Sequence, residues 1–548
     1  MIDDRISYGT SGRYPQVLEA CVYCFAFAVV AALGAVNLYY PFGPDEAIVY
    51  HGAKLMDQGA IYYADYWDNK QPGLYWFYLL AGRLFGFSEF GIHLLELLWM
   101  LAFAVVLMVT LRGAFRQRWL SALVPVATIG VYYGFAGESE LTQLEFIVSL
   151  PLFLLALCLV WAHRHPTAMP ALYLASGLLA GVVVAFKLLL APLCVALWLV
   201  ALAYHLKAHR PGLVVLVLRA VVPASAGVAI VLGAIVLLYV RWGHLEDLLW
   251  TAFVYPTRAL EYAPKASKTR LVTAAAFFFS LFAPWAFFAL CGVIQWVRRH
   301  RDLLSALMFT WLVGAIVLFL VQRVSWWQYH TLLFLFPAGF FAVLGIDRLS
   351  EWFGGVDARS VVRHAALAGV LALTTTASLG EPFLRKAQPL LSSVFITGRS
   401  IEDYQSQVGV TDRYGHLRRG VDFLWSPDAL PGPIYVVGNA MVYEFANRPA
   451  AHRTGGSSWE FYLPEQIDDL LKSLDEQQAP YVFVGPADRK IFRLRPQIAH
   501  YLDEHYFHLR TDLSGSWYQR RGLVETQPDP APTPGSGPNP GSAPDPQG

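Results

Sequence analysis

"AVVPASAGVAIVLGAIVLLYV" (220–240) runs for 21 residues without a charged side chain. As a helix rising about 1.5 Å per residue, it is long enough to cross a hydrocarbon core of about 30 Å. "LVTAAAFFFSLFAPWAFFALCGVIQWV" (271–297) repeats the pattern, and "VLEACVYCFAFAVVAALGAV" (17–36) interrupts it only with Glu19. Working outward from these runs gives about eleven spans: 17–38, 90–111, 119–135, 145–162, 171–186, 188–206, 213–240, 271–297, 303–321, 331–347 and 364–380. The composition agrees. Of 548 residues, 56% are hydrophobic and only 15% are charged, against about 25% charged in a soluble protein. The chain reads as a polytopic α-helical membrane protein.

A formal net charge of +1 gives no bulk attraction for nucleic acid or an anionic partner. The five cysteines (Cys21, Cys24, Cys158, Cys194, Cys291) all lie in apolar runs and read as small buried hydrophobes. Cys21 and Cys24 have redox-motif spacing but sit inside a span, without the strand-to-helix context such a motif needs. The first apolar run exceeds the 7–15 residues (about) of a signal peptide and has an acidic flank, so an uncleaved span is expected.

The connections sort into two faces. "LRGAFRQRW" (111–119), "AHRHP" (162–166), "LKAHRP" (206–211), "VRRHRD" (297–302) and the Arg359/Arg363 segment are basic, which makes their side cytoplasmic. The opposite face holds the loop 39–89, "AGESELTQLE" (136–145), the loop 241–270, "QRVSWWQYH" (322–330) and everything after about 381. Three units follow: a membrane domain over 1–380, an extracytoplasmic α/β domain over 381–525, and a Pro/Gly-rich tail over 526–548 that cannot bury a core. In the second unit, "PIYVVGN" (433–439) and "PYVFVG" (480–485) read as strands, and "LPEQIDDLLKSLDEQQ" (463–478) between them reads as an amphipathic helix.

The outer face carries the candidate chemistry. In "PFGPDEAIVYHGAKLMDQG" (41–59), Pro44-Asp45-Glu46 is a good helix start on structural grounds alone. "YYADYWDNKQPGLYWFYLLAGRLFG" (62–86) follows, with a turn at Pro72-Gly73 and an aromatic helix from Leu74 expected to lie in the membrane interface. Lys70 would then sit at headgroup depth, either snorkelling or holding a lipid phosphate. Glu138 and Glu140 could simply solvate a short loop. Glu145 is followed at once by an apolar run, so it must face water, a cation or a site. Lys187, in "VVVAFKLLLAP", either snorkels or points into a cavity. Arg258, Arg323 and His330 add positive or titratable groups, and Trp326-Trp327 suits an interface belt or a sugar platform.

Sugar transfer from a polyprenyl phosphate would use such groups. Cations stabilise the departing phosphate, and a carboxylate takes the proton of the attacking hydroxyl. The apolar donor tail would stay in the bilayer. No P-loop or dinucleotide fingerprint is present.

"GPDEAIVYHGAKLMDQG" followed by "WDNKQPGLYWFYLLAGRLFGFSEFGIHLL" resembles the first outer loop of the GT-C lipid-dependent glycosyltransferases, nearest the protein mannosyltransferase and aminoarabinose transferase branch. "LEFIVSLPLFLLAL", "GLLAGVVVAFKLLLAP", "QYHTLLFLFPAGFFAVLGIDRL" and "IYVVGN…YEFANRPAAHR" are similar to later segments of that group. The resemblance implies a GT-C fold with Asp45 as catalytic base, and Glu46 or Glu145 positioning the acceptor. It implies Lys70 and Lys187 at the donor phosphate, with Arg258 and Arg323 as further candidates. Tyr50, His51, Glu138, Glu140 and His330 are the expected acceptor or sugar contacts. Gln71 stands where many members have Pro, and Asn69 where some have an acid; no metal ligand is carried over and no cofactor is expected beyond the lipid-linked sugar. The expected partners are the bilayer, a polyprenyl-phosphate sugar and a glycan, lipid or protein acceptor. A transporter or lipid flippase is the rival reading. It would favour internal repeats and ionisable groups near the midplane, whereas here those groups gather at one face.

Overall fold

The computed structural model describes residues 13–262, 266–299, 302–323, 325–352, 366, 369–408, 413–456 and 459–523. Among them, eight helices are long and apolar enough to cross a membrane: Glu89–Ala114, Leu144–Arg164, Pro166–Phe186, Leu188–His209, Leu213–Trp242, Lys268–Arg298, Leu303–Val321 and Gln328–Glu351. They correspond to eight of the spans read from the sequence. The first expected span is the helix Arg13–Ala35, apolar over Glu19–Ala35. The expected span 119–135 is broken into Arg118–Ala122, Leu123–Pro125, Val126–Gly130 and Val131–Phe135. Pro125 lacks the N–H that a continuous helix would use there, and the wide π turn Val126–Gly130 follows it. The span 364–380 lies partly outside the described residues, as does the tail 526–548. Helix runs through residue 380 from 369 to 396, and Lys386 on it donates to the Asn37 Oδ1 and the Tyr133 carbonyl, both at 2.8 Å. Cys158 and Cys194 are buried as expected, whereas Cys21 and Cys24 are exposed on their helix.

Two short helices fill the first outer loop, Pro44–Asp57 and Pro72–Phe85. Both begin with Pro at the first helical position, where its missing N–H costs nothing. Gly43 precedes the first, and a Cβ there would lie 1.7 Å from the Glu138 carbonyl oxygen. Gly73 opens the second, where a Cβ would lie 2.6 Å from the Ala185 carbonyl. That close approach sets the turn bearing Lys70 beside the helix end bearing Lys187. The aromatic string differs from expectation: Tyr62, Tyr63, Tyr66, Tyr75 and Tyr78 are at most 1% exposed and form core, not an interface belt. Leu80 and Leu84 are the apolar side chains that the second helix turns outward.

The outer unit contains a four-stranded sheet in the order β1-β2-β4-β3: β1 Ile434–Val437, β2 Tyr481–Val484, β3 Tyr506–Thr511 and β4 Ser516–Arg520. β1 and β2 are parallel and connected through the helix Pro464–Glu476, as the sequence pattern predicts. β3 and β4 form an antiparallel hairpin that the sequence reading did not identify. The unit is strapped to the first loop. The Trp67 N–H donates to the Arg453 carbonyl at 2.8 Å, and Glu444 accepts from His51 at 2.7 Å and from Lys54 at 2.5 Å.

Candidate active site

A cavity of about 1360 Å³ opens between the first loop, the ends of the membrane helices and the outer unit, and Asp45, Lys70, Glu145, Lys187 and His330 all line it. Helix geometry puts Asp45 there. It occupies the first turn of Pro44–Asp57, and its side chain remains 31% exposed. Lys70 Nζ lies 3.3 Å from Asp45 Oδ1 and 3.1 Å from Asp68 Oδ2. Asp68 is buried and also accepts from the Tyr75 hydroxyl at 2.9 Å. The hydroxyls of Tyr62 and Tyr63 each donate to the Lys70 carbonyl at 2.7 Å, so the lysine's backbone is clamped. Tyr63 holds φ +77°, a left-handed conformation that costs about 1–2 kcal/mol in a non-glycine residue. Burial works against the Lys70 ammonium, but Asp68 and Asp45 outweigh it and hold its pKa above the usual lysine range. Lys70 stays charged.

The second pair faces the same space. Lys187 Nζ donates to Glu145 Oε1 at 2.6 Å and to Gln322 Oε1 at 3.1 Å. His330 Nε2 lies 3.9 Å from the same Glu145 oxygen, while Glu145 Oε2 is buried with no hydrogen-bond partner. Each lysine is thus held by a carboxylate. Of these carboxylates Asp45 is the most exposed, because Asp68 and Glu145 are sunk to 5% and 4% side-chain exposure.

The other expected residues lie elsewhere. Glu46 does not line the cavity. Its carboxylate accepts from the Gly43 N–H at 3.2 Å and from the Thr142 hydroxyl, and meets His93 Nε2 at 3.1 Å. It is a buried cap and crosslink, which sets it apart from the cavity-lining Asp45 expected to work with it. Tyr50 donates to the Phe87 carbonyl at 2.9 Å, and His51 stacks on Tyr443 beside Glu444, so both face protein. Glu140 accepts from Gln328 at 2.6 Å and from the Gly137 N–H at 3.0 Å, and burial pushes its carboxyl up. Glu138 is buried behind Gly43. Arg258 pairs with Glu465 of the outer unit, and Arg323 is exposed; neither side chain lines the cavity.

Several lining groups escaped sequence reasoning. Arg270 faces the cavity with its guanidinium 4.1 Å over the Trp327 ring. Tyr329 interacts with the Asp45 carboxylate. Asn439 and Lys490 bring the outer unit to the cavity wall. Lone polar residues at helix ends and in loops carry no spacing signal, so only the fold could gather them. Among the described residues, the three metal-ligating side chains close enough to share an ion are His163, His205 and His209, away from this cavity.

No family model matches the sequence, and no curated protein matches it. Solved structures do match. ArnT from Cupriavidus metallidurans, bound to undecaprenyl phosphate, aligns over 94% of this chain and 100% of its own, with TM-score 0.57 and 14% identity. The oligosaccharyltransferase AglB from Archaeoglobus fulgidus, in complex with an inhibitory peptide and a dolichol-phosphate, aligns over 94% of this chain and 76% of its own, with TM-score 0.50 and 12% identity. At these identities the likeness shows the fold. The chain is a multi-pass membrane protein that shares the fold of these structures.

Proposed function

We propose that the chain is an integral-membrane glycosyltransferase. It takes a sugar from a polyprenyl phosphate and passes it, with inversion, to an acceptor hydroxyl at the extracytoplasmic face of a bacterial inner membrane. One observation carries the reading: Asp45–Lys70 and Glu145–Lys187 line a single cavity beside the membrane helices. The acceptor oxygen attacks the anomeric carbon as Asp45 takes its proton, and the bond from that carbon to the phosphate oxygen breaks. Polyprenyl phosphate leaves with the bonding pair, its growing negative charge met by Lys70, Lys187 and Arg270. Asp68 keeps Lys70 in place, leaving the more exposed Asp45 free to exchange its partner for the acceptor. Glu145 holds Lys187 in the same way.

The test is reconstitution of the full-length chain in vesicles with radiolabelled polyprenyl-phosphate sugars and an envelope extract as acceptor. Wild type should release polyprenyl phosphate from at least one donor, and Asp45→Asn should not. Release from no donor, or an equally active Asp45→Asn, overturns the reading.

A further inference from the structure

Two membrane helices that begin at the cavity end together elsewhere. Leu144–Arg164 starts beside Glu145 and finishes at His163, and Leu188–His209 starts beside Lys187 and finishes at His205 and His209. About 18 residues at about 1.5 Å each put the histidines some 27 Å from Glu145, on the face of the basic connectors.

We propose that His163, His205 and His209 form a binding site for a divalent transition-metal ion of the zinc class, which ties the ends of these two helices together. One ring nitrogen from each residue lies within 4.8 Å of the other two. The spacing of four residues between His205 and His209 puts both on one helix face, with ring centroids 4.5 Å apart. His163 sits across from them, its ring 6.1 Å from His205 and 5.4 Å from His209. Two nitrogens, His163 Nδ1 and His205 Nδ1, are buried without a hydrogen-bond partner, an unfavourable state that a ligand would relieve. His209 Nε2 lies 3.2 Å from the His163 carbonyl oxygen. A carbonyl only accepts, so that nitrogen carries the hydrogen and Nδ1 keeps the lone pair. Metal-bound histidines are commonly oriented by such a bond from the second nitrogen.

Small side-chain rotations would bring the nitrogens to the about 2.0–2.1 Å that zinc requires, leaving a fourth position for water. Charge selects the metal. Arg164 acts on His163 and Arg219 on His205, and the three donors are all imidazole nitrogens. Hard, oxygen-seeking magnesium and calcium are therefore disfavoured, while a nitrogen-seeking ion can offset the repulsion. The site is independent of sugar transfer.

The full-length chain, purified in detergent on a tag without histidine and stripped with chelator, is titrated with Co(II) as the probe. Wild type should develop the intense visible bands of four-coordinate cobalt, saturating at one equivalent, and Zn(II) should abolish them and raise the unfolding temperature. Both effects should disappear in His209→Ala and His205→Gln and persist in His165→Ala, an exposed neighbour. His209 is itself exposed, so its variant retains the fold and decides the matter alone. Only the weak spectrum of hydrated cobalt in wild type, or unchanged bands in His209→Ala, would overturn the assignment.

Discussion

Asp45 is 31% exposed in the cavity wall, 3.3 Å from Lys70. Glu46, the next residue in the same helical turn, is 2% exposed and held by Gly43, Thr142 and His93 in the polar interior behind that wall. Consecutive helical side chains point about 100° apart, so one carboxylate can serve chemistry while its neighbour serves structure. Both acids suit a helix N-terminus, and neither composition nor spacing separates them. The surroundings do. Glu46 has its acceptor sites filled by protein donors, whereas Asp45 shares one cation with Asp68.

Exchanging each acid for its amide can break this contrast. Asp45→Asn should lower transfer about 10²- to 10⁴-fold, the range for a lost general base, with the unfolding temperature near wild type. Glu46→Gln should do the reverse. It keeps the shape but disturbs buried hydrogen bonds, a destabilisation of about 1–3 kcal/mol, and turnover per folded molecule should stay within a few-fold of wild type. Thermal unfolding and release of polyprenyl phosphate, measured on both variants, check the pair. Exchanged outcomes would reverse the roles assigned to the two acids.

A smaller effect tests what holds the outer unit against the helix that carries both acids. Burial alone would raise the Glu444 carboxyl, but the hydrogen bonds and charges of His51 and Lys54 outweigh it and hold it below its ordinary value of 4.5. A carboxyl depressed on folding contributes stability above its unfolded value, and that contribution is lost as pH falls through the folded one. Unfolding temperature should therefore fall with acidification below about 4.5, and Glu444→Gln should be less stable at neutral pH with a flatter acid limb. An unchanged acid limb in the variant would assign the loss to other carboxylates.

The membrane helices were legible because apolar length has few competing explanations, whereas the break inside the expected span 119–135 escaped because apolarity says nothing of Pro125 and the π turn after it. Strands β1 and β2 showed as apolar runs closed by glycine. The hairpin Tyr506–Arg520 did not, since His508, Arg510, Gln519 and Arg520 break the apolar pattern. In the site, Asp45, Lys70, Glu145 and Lys187 stood out as charges at the edges of apolar or turn-rich strings. Arg270 and Lys490 have no such frame, and they reach the cavity through tertiary contacts that spacing cannot encode. Arg258 shows the opposite failure: a cation on the right face, pointing at the outer unit.

That residue supplies the smallest expected effect. Arg258 joins the helix Tyr255–Tyr262 to Glu465 at the start of Pro464–Glu476, with side chains 40% and 45% exposed. Exposed ion pairs contribute about 0–1 kcal/mol, and salt screens them. Arg258→Ala should therefore shift unfolding only slightly, by less in high salt, and leave the KM for the lipid-linked donor unchanged. A marked rise in that KM, with stability intact, would mean that the guanidinium leaves Glu465 to grip the donor phosphate. The cavity cations would then include a residue of the loop 241–270 that swings in with the substrate.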